Sequence, residues 1–269
     1  MDTGIAKNIA IWNSRAEEYD KFRPRPPAVI LDLFTQLTHT SKPQLVVDLG
    51  SGTGLSTLLW APRAQRVVGI EPNDEMRRRA EIHKDEQNIA NVQFRSSISS
   101  QTGLPDGSAD IVTCSQSLHW MEPASTFAEI ARILCPGGLF AAYDYDWPPT
   151  VNWQAEQAYA DLEECIEQIR NKLGIGRNVQ SWPKHEHLAR IQASGHFRFT
   201  KEILVHHVEE GNAERFVGLA LSNYIAEYLQ RGLREEEIGF DRFKASVHNA
   251  LGEKQWSFYF SYHIRMGIK

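Results

Sequence analysis

From Gln44 to Tyr145, short apolar runs alternate with amphipathic segments. "QLVVDLG" is apolar without a polar face, as expected of a strand buried on both sides. "RVVGIEP" repeats the pattern, and "NVQFRSS", "ADIVTCSQS" and "LFAAYDY" give three further strands. The segments between them read as helices. "GLSTLLWAP" is a helix stopped near Pro62. "NDEMRRRAEIHKD" is a helix with Asn73 or Asp74 as its N-cap. "EPASTFAEIARILC" places Phe127, Ile130, Ala131 and Leu134 on one face and is closed by "PGG". Regular alternation of this kind predicts a parallel sheet covered by helices on both faces.

Outside this region the pattern differs. Two helices come first, Ile5 to Tyr19 and Pro27 to Leu37, separated by "RPRPP", because proline can open a helix but not continue one. After Trp147 the alternation stops. "WQAEQAYADLEECIEQIRNKLG" is a long amphipathic helix, and "KHEHLARIQASGHF" is another that ends at Gly195. "FTKEILVHHVEEG" and "QWSFYFSYHIRMGIK" read as late strands that complete the sheet. "NAERFVGLALSNYIAEYLQRG" and "EEEIGFDRFKASVHNALG" read as helices. The expected plan is one domain over residues 1–269. Residues 1–40 form N-terminal helices and 44–146 the core. Residues 151–195 and 212–251 form a helical cap, and the late strands lie at 197–209 and 255–269. No polar linker sets the cap apart, so it should pack directly on the core.

The candidate chemistry begins at "VVDLGSGTG". Glycine occupies positions 50, 52 and 54, two residues after the acid Asp48. Such a loop at the carboxyl end of a strand lets backbone approach a ligand. The dinucleotide fingerprint G-x-G-x-x-G fails here, since its third place holds Leu55. Asp48 also opposes the positive potential a pyrophosphate needs, whereas a ligand with a cationic end would suit it. Glu71 ends the second strand 23 residues after Asp48. An acid there can accept hydrogen bonds from both hydroxyls of a ribose.

"VVDLGSGTG", "VVGIEPN", "TGLPDGSADIVTCSQSLHWME" and "ARILCPGGLF" together resemble the class I S-adenosylmethionine-dependent methyltransferases, in the order and spacing of that family. The chain is most similar to the small-molecule trans-aconitate and ubiquinone/menaquinone-biosynthesis type, which "AEEYDKFRPRPP" and "LHW" also resemble. The implied fold is α/β, a Rossmann-like doubly wound, mostly parallel seven-stranded sheet with an antiparallel final strand and the helical cap. The implied cofactor is S-adenosyl-L-methionine. By the resemblance, Asp48 with Gly50, Ser51 and Gly52 holds the methionyl amino and carboxylate groups, and Glu71 holds the ribose. Pro72 and Met76 flank the adenine. Ile98 and Ser99 meet its edge, where many relatives have an acid and this chain has "SSISS". Ser115 and Gln116 stand next to the sulfonium. Tyr19 and Arg23 resemble the pair that closes over the methionyl end, where an Arg fork suits a carboxylate.

The expected reaction is methyl transfer to a small organic molecule, by O- or N-methylation. His119 is the candidate base or orienting group. His119 and Trp120, with Tyr145 and Tyr224, are the expected substrate contacts, and Trp147 and Trp153 add aromatic surface to the cap. The alternatives are a non-catalytic S-adenosylmethionine- or nucleotide-binding protein of the same fold, and an NAD-dependent oxidoreductase, against which Asp48 and Leu55 speak.

Composition narrows the partners. The formal net charge of −5 gives no overall positive field toward nucleic acid or acidic lipid. The basic run Arg77–Arg79 reads as a solvated helix face. Cys114, Cys135 and Cys165 match no metal motif. With no apolar leader in "MDTGIAKNIAIWNSRAEEYDKF", they read as reduced thiols in a cytoplasmic protein. No apolar window approaches the ~18 residues of a membrane span. His185 and His187 have ligand spacing but no third partner, and read as a solvated helix start. His206 and His207 point to opposite faces of a strand and cannot chelate together. No metal, nucleic-acid or membrane partner is expected, and the chain is expected to be a monomer or homodimer.

Overall fold

Strand β1 (Leu45–Leu49) is buried at every position. It takes parallel partners on both sides, β2 (Arg66–Ile70) from Leu45↔Arg66 to Leu49↔Ile70 and β4 (Ala109–Ser115) from Val46↔Ile111. Its side chains alternate between two apolar cores: Val46 enters one, and Leu45, Val47 and Leu49 enter the other. The computed structural model describes residue 9, residues 20–174 and residues 180–269, the Tyr224 side chain apart. With β3 (Val92–Arg95), β5 (Leu134–Tyr145), β6 (Phe199–Gly211) and β7 (Trp256–Ile268), the sheet has seven strands in the order β3-β2-β1-β4-β5-β7-β6. Only β7 runs against its neighbours, antiparallel to both β5 and β6. This is the Rossmann-like doubly wound arrangement. Among the described residues, no helix is long and apolar enough to cross a membrane.

Helix α1 (Ala28–Leu37) follows Pro27 and buries Ile30, Leu31 and Phe34. Helix α2 (Asp74–Glu86) is capped by Asn73, whose side chain accepts from the Glu75 and Met76 N–H groups. Helix α3 (Pro123–Ile133) is capped by Glu122, which accepts from the Ala124 and Ser125 N–H groups. The helix expected at "GLSTLLWAP" is only a 3-10 turn over Thr57–Trp60. The reason lies in its hydroxyls. Thr57 donates to Asp48 and Ser56 bonds the Tyr143 hydroxyl, so the segment is tied to the strand ends. Too little chain then remains before Pro62 for a helix. "PGG" does not separate α3 from β5, which begins at Leu134 directly after the helix. The helix expected over Ile5 to Tyr19 lies, Ile9 apart, outside the described residues.

The later helices are α4 (Trp153–Leu173), α5 (His187–Ala193), α6 (Ala213–Ala220), α7 (Ala226–Gln230), α8 (Glu235–Ile238) and α9 (Phe240–Leu251). Two expected single helices are broken. A π turn at Leu221–Ile225 separates α6 from α7, and Gly239, at φ 74°, separates α8 from α9. Tyr159, Phe216 and Phe243 form an aromatic knot with ring centroids 6.1–6.4 Å apart. Phe216 continues it onto Phe258 of β7, at 6.1 Å. The cap and one face of the sheet therefore share a single apolar core.

The segment before α1 is seated on this cap. A Cβ placed on Gly218 would stand 2.1 Å from the Phe22 ring. Gly218→Ala should therefore displace Phe22, cost about 1–3 kcal/mol through overpacking, and free the segment carrying Lys21, Arg23 and Arg25. Denaturant titration and limited trypsin digestion test this. An unchanged midpoint with unchanged cleavage would refute the seating.

Candidate active site

The strand order turns back on itself between β1 and β4, so the loops after these strands diverge and leave a crevice at their carboxyl ends. There a cleft of about 960 Å³, open mouth included, lies between the loops after β1 to β4 and the start of α3.

Gly50 and Ser51 turn back over β2, their N–H groups donating to the Ile70 carbonyl at 2.8 and 3.1 Å. Gly50 has φ +66°, and a Cβ there would stand 2.7 Å from the Ser117 Cβ. Both dihedral and space therefore demand glycine at this point. The Ser117 hydroxyl donates to the Leu49 carbonyl at 2.7 Å, locking the loop after β4 against the loop after β1.

Glu71 joins the other side. One carboxylate oxygen accepts from Gly52 N–H at 2.8 Å, and the second accepts from Asn73 N–H at 2.8 Å. Arg77 donates to the Glu71 carbonyl at 2.9 Å, so the basic run is not simply a solvated face; Arg79 likewise pairs with Asp20 at 2.8 Å. Burial pushes the Glu71 pKa up, against the two backbone hydrogen bonds. Glu71, Gly50 and Gly52 all line the cleft. Beside them stand Pro72, Met76 and Ile98 as an apolar wall, and Ser99, whose hydroxyl bonds that of Thr126 at 2.9 Å. Ser115, Gln116 and Trp120 line the far side.

Other expected contacts are not brought to the cleft. Asp48 is buried beneath the loop, where Thr57 and Thr113 donate to its two oxygens at 2.6 and 2.8 Å. It anchors the loop from below. Ser51 is buried over Gly69 and is not part of the lining. Arg23 donates to the Tyr145 hydroxyl at 3.0 Å and the Ser222 carbonyl at 3.2 Å, and lies over the Trp147 ring. Tyr145 is buried among Trp147, Phe260 and Tyr262, so it belongs to the core. Trp153 is 75% exposed and encloses nothing. Tyr19 and the Tyr224 side chain lie outside the described residues.

His119 stands behind the cleft wall, against Trp120 and 3.9 Å from Asp144. Burial, and then the nearby Lys184 charge, push its pKa down to about 3. His187 corrects the expectation of a solvated helix start. It is 1% exposed, with its pKa pushed down by burial to about 4, while His185 remains in solvent. The charges of Asp144 and Arg265, distant in sequence, act on it as well, in opposite directions. Among the described residues, no group of three or more His, Cys, Asp or Glu side chains could hold a metal ion.

Sequence reasoning missed the start of α3. Met121, Glu122, Ser125 and Thr126 line the cleft, as do Ser117 and Ser100. The available signal was topological. A loop that leaves β4 beside the switch point must border the crevice, whatever its residues.

Residues 47–142 match the family described as methyltransferase domain. The chain is 31% identical over 142 residues to the uncharacterized methyltransferase YcgJ of Bacillus subtilis, across 52% of this chain and 56% of that protein. It is 32% identical over 129 residues to the uncharacterized methyltransferase Rv3342 of Mycobacterium tuberculosis, across 47% and 49%. The match thus spans about half the length of these relatives. Among solved structures, a candidate type II methyltransferase of Anaeromyxobacter dehalogenans superposes with a TM-score of 0.63 at 21% identity, over 92% of this chain and 98% of that one. The [4+2]-cyclase SpnF superposes at 0.53 and 18% identity, over 90% and 80%. The fold is thus shared with methyltransferases and with a cyclase alike.

The buried Asp48 gives a test of the loop's underside. Burial outweighs its two hydroxyl partners and raises its pKa from 3.8 to about 6. The unfolded chain therefore ionises first, and stability held below pH ~4 is lost as pH rises through that interval. Asp48→Asn removes the titration. Between pH 4 and 8 the wild type should lose about 2 kcal/mol relative to this variant, measured by denaturant titration at both pH values. A difference independent of pH would show that Asp48 is not buried as described.

Proposed function

We propose that the chain binds S-adenosyl-L-methionine in this cleft and transfers its methyl group to a small organic molecule, at oxygen or nitrogen. The observation that carries the proposal is the Glu71 carboxylate, held at the cleft by the Gly52 and Asn73 N–H groups. A carboxylate at the end of β2 suits a ribose diol, and the second acid, Asp48 beneath the glycine loop, disfavours a pyrophosphate. The family match over residues 47–142 and the relatives' names support the same choice.

The bound cofactor would supply an electrophilic methyl group on a sulfonium. The residues present fit it. Glu71 would accept from the ribose hydroxyls while keeping its backbone partners. Pro72, Met76 and Ile98 would flank the adenine, with Ser99 and Thr126 at its edge. Gly50, Gly52 and Ser115 would border the methionyl portion, with Asp48 and Ser51 supporting the loop from beneath. Trp120 would meet the substrate. His119 serves this chemistry by packing. With its pKa near 3 it is neutral and too weak a base to take a proton at pH 7. Catalysis then rests on holding the acceptor in line.

Calorimetry should show binding of S-adenosylmethionine and of S-adenosylhomocysteine, and none of NAD. NAD binding without sulfonium binding would overturn the proposal. Two charge-assisted ribose bonds are each worth about 1.5–3 kcal/mol, so Glu71→Ala should weaken S-adenosylhomocysteine at least tenfold. The same change frees Gly52 N–H, so thermal melting without ligand separates loss of ribose contacts from loss of the loop.

For His119, the pH–rate profile should show no limb near the ordinary histidine value. His119→Ala should leave cofactor affinity within about threefold, under roughly 0.7 kcal/mol. A limb near pH 6.5 that disappears in His119→Ala would restore its role as base.

A further inference from the structure

We infer that the outer edge of β6 pairs antiparallel with β6 of a second copy of this chain, Val205 opposite the partner's Val205, so that two sheets join into one.

β6 ends the sheet order, and among the described residues no strand pairs with its outer side. Its inner side pairs with β7 without interruption, from Phe199↔Ile268 to Gly211↔Trp256. The outer side therefore carries a row of backbone N–H and C=O groups, a template for another strand. Proteins usually blunt such an edge with a short strand, a bulge, proline or lysine. β6 is about 40 Å long. It has no proline and no bulge, and Lys201 is its one lysine. The opposite edge, β3, has only 4 residues.

One face beside this edge is also uncovered. Helix α5 reaches the start of β6, where Gln192 bonds the Thr200 hydroxyl at 3.2 Å. Farther along, Leu204 and Val208 of β6 share a face with Tyr259 of β7, which lies opposite Val208. These three side chains are 47–54% exposed. On the other face, Ile203 and Val205 are partly buried against the core.

The charges on β6 select the occupant. Lys201 stands toward the start of the strand, and Glu209 and Glu210 at its end. Antiparallel self-pairing brings unlike ends together, whereas parallel pairing brings like ends together. A two-fold axis at Val205 sets Lys201 opposite the partner's Glu209, and this happens twice. Glu209 already pairs with Arg215 and lies 3.4 Å from His207, and its carboxylate can accept from a further donor. On the uncovered face, Leu204 falls diagonal to the partner's Leu204 and Val208, within reach of long side chains. The apolar strips of the two copies thus meet. Glu202 falls opposite the partner's Val208 and keeps Arg265 at 3.0 Å.

Neighbouring registers fit less well. An axis at His206 sets Glu202 against the partner's Glu210 twice, which opposes pairing. An axis at Leu204 leaves Lys201 opposite the partner's His207, with no acid. Pairing consumes the edge, so assembly closes at two copies. The cleft takes no part, since it is built on the loops after β1 to β4 and the start of α3.

Sedimentation velocity of the wild type across micromolar concentrations should show a dimer and nothing larger. Lys201→Glu puts two acids opposite each other at both ends, and Leu204→Glu puts charge into the joined apolar strip. Each should raise the dimer dissociation constant at least tenfold. Both positions are exposed, so thermal melting of the dilute variants should match that of the dilute wild type. Cross-linking tests the register. Opposite Cα atoms in an antiparallel pair lie about 4.5–5.5 Å apart, within disulfide reach. Val205→Cys should therefore give a covalent dimer on mild oxidation. Ile203→Cys should not, because the two copies of that residue stand about 13 Å apart along the strands. The wild type, with Cys114, Cys135 and Cys165, is oxidised beside them as background. A monomer throughout would overturn the inference, as would assembly beyond two copies. So would a dimer as tight in Lys201→Glu or Leu204→Glu as in the wild type, or cross-linking in Ile203→Cys and not in Val205→Cys.

Discussion

The site depends on one carboxylate that does two things. Glu71 takes the Gly52 N–H with one oxygen and the Asn73 N–H with the other. The glycine loop after β1 and the cap of α2 are thereby fixed to a common point at the end of β2. The loop turns where its Gly50 can touch Ser117, and α2 begins where Asn73 can cap it. Without the carboxylate, the buried Asn73 N–H would lose its partner, at about 1–3 kcal/mol, and the part-buried Gly52 N–H would lose its own. The group that lines the cleft is therefore also the group that shapes it.

Two other buried acids show how this chain handles charge around the cleft. Asp48 has hydroxyl partners only, and burial lifts its pKa to about 6. Asp144 pairs with Lys184 and Arg265 at 3.3 and 3.6 Å, with the neutral His119 ring 3.9 Å away. Such a buried cluster adds little net stability, since desolvation offsets the attraction. What it contributes is geometry. It fixes a lysine from a distant segment against the end of β4, where a mobile surface lysine would point nowhere in particular.

The core of the fold was legible because its signals are local. Unbroken apolar runs, glycine after β1, Asn73 before α2 and the strand–helix rhythm each act within a few residues. Glu71 was legible for the same reason, since an acid at the end of β2 faces the crevice whatever surrounds it. The turn at Thr57–Trp60 was not, because it is decided by Asp48 and Tyr143, which meet it only once the sheet forms. The burial of His187 was not legible on the same account, since its surroundings come from segments distant in sequence, among them Asp144 of β5 and Arg265 of β7. Tyr145 read as a substrate contact because aromatic residues mark pockets and cores alike, and here the neighbours are Trp147, Phe260 and Tyr262.

This division also bears on what the fold can say about reaction. The family match ends at residue 142, just before Asp144. Within it lie the glycine loop, Glu71 and the apolar wall of Pro72, Met76 and Ile98. A cyclase and a methyltransferase-like protein both superpose on this backbone, as expected when function resides in a site grafted onto a fold. Lys184 and Asp144 lie outside the matched segment, and they act on Gln116 within it. The end of β4 is thus fixed by the later chain, beyond the matched segment, while Glu71 and its backbone partners fix the glycine loop within it.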